Sequence, residues 1–341
     1  MMPHRFTARL RQGAAALLLF AAAACRPAAD YVTAEGPMLG TLYRVTARTD
    51  MPVSDLRRML DAVDAEMKGS MSIFDAGSLL SRLNRNETDS VDRHVACNLA
   101  LAREISLLSG GRYDVTVKPL VEAWGFAGRE RSEHPNIDSL LAFVGFDKVR
   151  IENGRLVKSD SRVQLDFNSV AKGYTVDCVA ALLEERGVTD YLVDIGGEVR
   201  CRGCNPHGKP WRIGIERPEE GIAYGSSVEV RIALTDGALA TSGNYRRFAV
   251  DAEGRKAVHT IDPRTGEGMM SRLLSATVVA DDCARADAMA TMYMALGADE
   301  ALRFAEAHPD ERVLFILAAG EAASEEMEVR VSPALRRLVV D

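Results

Sequence analysis

Cysteine is scarce: six in 341 residues, too few for a disulfide scaffold. Basic residues are outnumbered, 42 Lys+Arg against 49 Asp+Glu, for a formal charge of −7. That balance excludes the basic face on which nonspecific nucleic-acid binding depends. No collagen-like period, coiled-coil heptad, internal repeat or low-complexity stretch divides the chain, and its composition is not that of a polytopic membrane protein. Also missing are a Walker loop, a dinucleotide glycine fingerprint, a zinc-protease helix and a nucleophile elbow. The rest is ordinary, with 47 % hydrophobic and 27 % charged residues. A chain of this kind buries a large core, so disorder is not its general state. Its length suits one large or two ordinary domains.

The one apolar run lies at the start. Arg5, Arg9 and Arg11 precede a nearly pure Ala/Leu stretch from Ala14 to Ala24, which ends at Cys25. The run is shorter than the ~18 residues of a spanning helix and fits a signal-peptide core. Ala22, Ala23 and Ala24 before Cys25 resemble a bacterial lipobox, where the Cys is acylated and becomes the new N-terminus. Ordinary signal cleavage nearby and a short buried apolar stretch are the alternatives. Loss of 1–24 removes three arginines and no acid, leaving 39 basic against 49 acidic residues, a charge of −10. Export also places the remaining cysteines where thiols can be oxidised. The expected product is a soluble domain tethered at Cys25 on the periplasmic side of a membrane.

Residues 25–36 read as a tether and 37–341 as one compact α+β unit, with room for two lobes. Thr41–Thr46 alternates as a strand. Ser54 is placed to cap a helix with Leu56, Met59, Leu60, Val63 and Met67 on one face. A helix is expected over 98–109, stopped by Gly110-Gly111. Asn153-Gly154 predicts a hairpin between Lys148–Glu152 and Arg155–Lys158. Strands are expected at Gln164–Phe167, Tyr191–Ile195 and Ser275–Ala280, with a closing pair at Val313–Ala318 and Glu326–Val331. Helices are expected over Val170–Glu185 and Asp282–Leu296, the second ending at Gly297.

Four segments are unusual for plain structure. In Leu165-Asp166-Phe167-Asn168-Ser169-Val170-Ala171-Lys172-Gly173-Tyr174, a lysine lies in a helix's first turn and opposes the dipole. Such a lysine needs a partner, and an anion bound at the helix N-terminus is one; a surface Asp–Lys pair is the bland reading. The loop His259-Thr260-Ile261-Asp262-Pro263-Arg264-Thr265-Gly266 concentrates titratable side chains, although a lone His is more often structural. In Asp281–Thr291, Asp287 and Thr291 share one helix face, and their oxygens suit Mg²⁺. A dipole-stabilised acid cluster is the alternative, but Asp287 lies deep for it. Thr241-Ser242-Gly243-Asn244-Tyr245-Arg246-Arg247 offers donors and an arginine pair, or simply a hairpin connection with a basic edge. Cys201-x-x-Cys204 has no second such pair, and a local disulfide or free thiols are the favoured readings.

Taken in order, these and further segments resemble the ApbE family, the FAD:protein FMN transferases. The match includes Met38-Leu39-Gly40-Thr41, Met71-Ser72-Ile73-Phe74, Ser78 to Asn84, Tyr113-Asp114-Val115-Thr116-Val117, Pro119-Leu120 and Trp124-Gly125-Phe126. It continues through Asp166–Gly173, Asp194-Ile195-Gly196-Gly197-Glu198, Thr241–Asn244, His259–Gly266 and Ala286-Asp287-Ala288. The resemblance implies a T-fold-like core. It also implies an enzyme that binds FAD with Mg²⁺, splits the pyrophosphate and passes FMN to a threonine hydroxyl of another protein, releasing AMP. By the same resemblance Asp287, Thr291 and the Ser169 carbonyl hold Mg²⁺. FAD contacts carry over to Leu39, Phe74, Arg112, Tyr113, Asp114, Asp166, Lys172 and Ile261. His259 is the candidate for activating the acceptor hydroxyl. Phe74 replaces a frequent Tyr or Trp, Leu39 a frequent Met, and Asn168 a frequent Gly. The implied acceptors are flavin-bearing subunits of membrane redox complexes, such as sodium-pumping NADH:quinone oxidoreductase or Rnf-type complexes. An FAD pyrophosphatase and a non-catalytic flavin-binding lipoprotein are the other readings.

Overall fold

The computed structural model describes residues 30–126, 136–218, 227–243, 248–250, 256–258, 260–269, 271–319 and 326–341. The chain opens with a hairpin, β1 (Tyr31–Met38) and β2 (Thr41–Arg48). Helices α1 (Val53–Met71), α2 (Leu79–Asn84), α3 (Arg93–Leu108), α4 (Lys118–Ala123) and α5 (Ile137–Leu141) follow. A small hairpin, β3 (Val149–Glu152) and β4 (Arg155–Lys158), leads to α6 (Ala171–Glu185). Then come β5 (Tyr191–Ile195), β6 (Glu198–Arg202), β7 (Trp211–Glu216), β8 (Val228–Leu234) and β9 (Asp236–Gly243). The short pair β10 (Phe248–Val250) and β11 (Lys256–Val258) precedes β12 (Leu273–Ala280) and α7 (Cys283–Ala307). The chain closes with β13 (Arg312–Ala318), β14 (Met327–Val331), α8 (Pro333–Arg336) and β15 (Val339–Val340).

Among the described residues, eight strands form one antiparallel sheet in the order β1-β2-β5-β6-β9-β12-β13-β14. Both faces of its central strands are covered. In β13, Val313, Phe315 and Leu317 join the core under the helices, whereas Leu314 and Ile316 join a second core on the other face. Period-two alternation therefore places apolar residues on both sides, and the strand reads as one continuous apolar run. Helices α1, α6 and α7 cover the first face. A three-stranded sheet, β15-β8-β7, covers part of the second through Trp211, Ile213, Ile215, Ile232 and Leu234.

Several expectations need correction. Residues 31–36 are not tether but most of β1, paired with β2 from Tyr31↔Arg48 to Met38↔Thr41. Gln164–Phe167 forms no strand. Its backbone is held instead by the Asn84 side chain, whose Oδ1 accepts from Leu165 N (2.7 Å) while its Nδ2 donates to the Leu165 carbonyl (2.8 Å). Ser54 does not cap α1, which begins behind Pro52 without a side-chain cap. Helix α3 starts at Arg93, five residues before the expected start, because the Asp92 side chain accepts from Val95 N. The helix expected over Asp282–Leu296 does end at Gly297, where φ of 73° breaks it; a further helical stretch follows to Ala307, started where Ser271 Oγ accepts from Ala298 N. The strand at Tyr191–Ile195, the hairpin at Asn153-Gly154 and the closing pair stand as read. Cys201 and Cys204 are free thiols.

Candidate functional site

Three chain segments converge where α6, α7 and the β5–β6 turn meet. The turn comes first. Gly196 and Gly197 have φ of 69° and 100°, and the Asp194 side chain accepts from Gly197 N (2.9 Å). A Cβ on Gly196 would stand 2.8 Å from Thr41 Cγ2, so this turn fits against β2 only as glycine. Glu198 then opens β6, 2 % exposed.

Lys172 lies in the first turn of α6, and its ammonium pairs with the Glu198 carboxylate. This answers the sequence question of what balances a lysine there: the partner is a protein carboxylate. Burial pushes the Glu198 carboxyl up to about 7, with Lys172 pulling against that and Asp287 adding to it. For Lys172 burial lowers the pKa, but the attraction of Glu198 and then Asp287 outweighs it and the net shift is upward. Asp287 is also buried, and burial raises its pKa against Lys172. One cation thus faces two buried acids. Glu198 Oε2 has no hydrogen-bond partner among the described residues.

Gly173 joins α6 to α7. A Cβ there would lie 2.2 Å from the Cys283 carbonyl oxygen and 2.8 Å from Asp287 Cβ. The contact brings the Gly173 amide within 3.0 Å of Asp287 Oδ2, to which it donates. That amide is one of the first-turn donors a helix leaves without an internal partner, and Asp287 satisfies it from α7; the first helical bond of α6 runs from Tyr174 N to Val170 O (3.0 Å). Ser169 stands just before this first turn. Helix α7 is held at its start by Asp282, which accepts from Arg285 N, and by Asp177. Asp177 accepts from Cys283 N and Ala284 N (2.9 and 2.8 Å) and from Arg200 (2.7 Å).

One turn on from Asp287, Thr291 Oγ1 lies 3.0 Å from Ser242 Oγ at the end of β9. Ser169 Oγ donates to the hydroxyl of buried Tyr113 (2.8 Å). Burial raises the Tyr113 pKa, and the negative charges of Asp287, Asp166 and Asp114 add to the shift. Asp166 accepts from Asn168 N (2.8 Å) and closes the turn that carries Ser169. Asp114 accepts from Thr116 N and Oγ1, each at 2.7 Å. Burial raises both carboxyls. A main-chain carbonyl, a carboxylate and a hydroxyl suit a hard cation such as Mg²⁺. Among the described residues no cluster of three or more His, Cys, Asp or Glu side chains competes for one.

The remaining expected residues lie around this centre. Arg112 donates to Asp262 Oδ2 (3.4 Å) and to Glu300, tying the Ile261–Gly268 loop to α7. Ile261 packs with Leu120 and Val144. Leu39 sits at the β1–β2 turn with φ of 49°, its amide donating to Asp64 Oδ1 (2.9 Å), while neighbouring Met38 is buried in the core. Phe74, on the loop after α1, is 67 % exposed, which leaves a ring face open for stacking. Neither Leu39 nor Phe74 shares a hydrogen bond with the acid–lysine cluster among the described residues. His259, residues 244–247 and residues 1–29 with Cys25 lie outside the described residues. Reading the sequence did not assign Glu198, Asp177 or Ser242. The dipole-opposed lysine was the signal for Glu198; no local signal marks Asp177 as the cap of a helix 106 residues away.

Known proteins share this chain's sequence pattern and fold. The ApbE family model matches residues 39–315. The FAD:protein FMN transferase of Vibrio cholerae is 35 % identical over 304 residues, covering 86 % of this chain and 89 % of that protein. The one from Haemophilus influenzae is 35 % identical over 300 residues, covering 83 % and 86 %. Among solved structures, the flavin transferase ApbE from Vibrio cholerae superposes with a TM-score of 0.79 at 32 % identity, covering 92 % of this chain and all of that one. The flavinyl transferase ApbE of Pseudomonas stutzeri gives 0.80 at 29 % identity, covering 92 % and 98 %. By sequence over most of its length and by fold, the chain belongs to the ApbE family.

Proposed function

We propose that this enzyme transfers the FMN part of FAD to a threonine hydroxyl of an exported protein and releases AMP. The observation that carries the reading is the buried cluster at the start of α6: Lys172 pairs with Glu198, and Asp287 from α7 accepts from the Gly173 amide beside them. Asp287, Thr291 and the Ser169 carbonyl would hold Mg²⁺, which when bound would offset charge on the pyrophosphate oxygens. Lys172, kept charged by Glu198 and Asp287, binds phosphate oxygen from the first turn of α6. The exposed Phe74 ring and the Leu39 turn receive the flavin end of FAD. Arg112, Tyr113, Asp114, Asp166 and Ile261 line the region toward its adenosine end.

The acceptor hydroxyl oxygen forms a bond to the phosphorus on the FMN side as the bond to the AMP oxygen breaks. His259 accepts the hydroxyl proton, and AMP leaves with the electron pair of the broken bond. The acceptors proposed are flavin-bearing subunits of Nqr- or Rnf-type membrane complexes, reached on the periplasmic side from a lipid anchor at Cys25. The test is incubation of the protein with FAD, Mg²⁺ and the threonine-bearing domain of such a subunit. An FMN adduct on the threonine with release of AMP is expected, slowed in His259→Ala without loss of FAD binding. AMP and free FMN without an adduct would mean a pyrophosphatase; bound FAD without AMP would mean a carrier.

A further inference from the structure

A cavity of about 510 Å³ lies on the face of the large sheet opposite the helices. Its floor is the outer surface of β1, β2 and β5: Thr33, Arg44, Thr46, Leu192 and Asp194. Thr33 and Thr46 stand with their hydroxyls 3.0 Å apart, and the small sheet stops short of them. The wall is β7. All six of its residues, Trp211 through Glu216, line the cavity. Successive side chains of a strand point to opposite faces, so a cavity bordered by every one of them runs along the strand's edge. Strand β7 pairs with β8 on one side, and among the described residues no strand pairs with it on the other. The β7–β8 register is regular from Trp211 to Ile215.

An open edge of this kind carries a row of main-chain donors and acceptors spaced for another strand. Trp211–Ile215, the five residues in regular register, span roughly 17 Å. A small molecule does not match that spacing, but an extended peptide does. One end of the cavity, lined by Gly196, Gly197 and Thr241, lies at the end of the sheet that carries the site on its other face: Glu198, which pairs with Lys172, and Ser242, which meets Thr291, point to the helix side there. We propose that β7 takes an extended segment of the acceptor protein as a fourth strand, aligning that protein so its threonine reaches the α6–α7 site. The proposal rests on the transfer reading, because only transfer requires a polypeptide co-substrate. The mostly polar floor, with Thr33 and Arg44 exposed and Thr46 and Asp194 partly buried, suits a strand that arrives from water rather than a permanent core element.

Two measurements test it with the full protein and the threonine-bearing acceptor domain. The first is amide hydrogen exchange of Trp211–Glu216. Slower exchange is expected when the acceptor domain saturates the enzyme. Unchanged exchange at saturation overturns the proposal. Protection that rises with enzyme concentration alone assigns the edge to a second copy of this chain and also overturns it. The second is Thr46→Trp, which fills the floor without entering the core. The KM for the acceptor domain should rise about tenfold or more while FAD affinity stays the same. An unchanged acceptor KM contradicts the proposal. Failure of the transfer reading looks different: the unaltered enzyme then forms no adduct at all.

Discussion

A carboxyl that burial has lifted to about 7 keeps its proton below that pH and pairs fully with a lysine only above it. Glu198 is in that position beside Lys172. If its charge steadies the ammonium that binds phosphate, turnover should rise as pH increases through about 7, as the carboxyl ionises. AMP release followed from pH 5.5 to 8.5 measures this, with the interval chosen roughly to bracket the expected step. In Glu198→Gln the step should vanish and the rate should fall by about tenfold or more. An unaltered pH profile in that variant would remove Glu198 from the account. Residue by residue, the chemistry was partly legible. Lys172 in a first helical turn and Asp287 deep in a helix were both misplaced for simple structure, and both belong to the cluster. Glu198 carried no such mark, since a glutamate opening a strand is unremarkable until the fold brings it under α6.

At the scale of elements, the site depends on how closely α6 and α7 approach. Gly173 sets that distance, since any side chain there meets the Cys283 carbonyl and Asp287. Gly173→Ala should force the helices apart and cost about 1–3 kcal/mol of stability, read from denaturant unfolding. It should also pull Asp287 away from the Gly173 amide and so weaken Mg²⁺-dependent turnover more than FAD binding. A variant as stable and active as the parent would show that the approach is not required. Most elements were readable because their signals are local, as with Asn153-Gly154, which turns a hairpin with φ of 49° and 74°. The misread ones depend on distant partners. Gln164–Phe167 looks like a strand, but its main-chain hydrogen bonds go to the Asn84 side chain, 81 residues earlier, and to the Val115 carbonyl rather than to a neighbouring strand. Residues 31–36 look like tether because a hairpin's edge strand, exposed on alternate residues, carries little apolar signal.

Across the whole molecule, residues far apart in sequence meet at one end of a two-faced sheet, with helices behind it and a small sheet in front. The continuous apolar strands announced the core, but the sequence could not tell which apolar residues face which layer. The acidic balance of −7 requires that an anionic pyrophosphate be bound by local charge, not by the general field. The proposed anchor is also a property of the whole chain. Cys25→Ser should move the protein from the membrane fraction to the soluble fraction and abolish acyl labelling; an unchanged distribution would refute the lipid anchor. The central claim is that the α6–α7 cluster is where FMN changes hands. Its most direct test is the rate of FMN adduct formation on the acceptor threonine by Asp287→Ala, with FAD binding measured in parallel. A loss of roughly 100-fold or more in adduct formation with FAD still bound is expected; an adduct formed at the parent rate would place the transfer elsewhere.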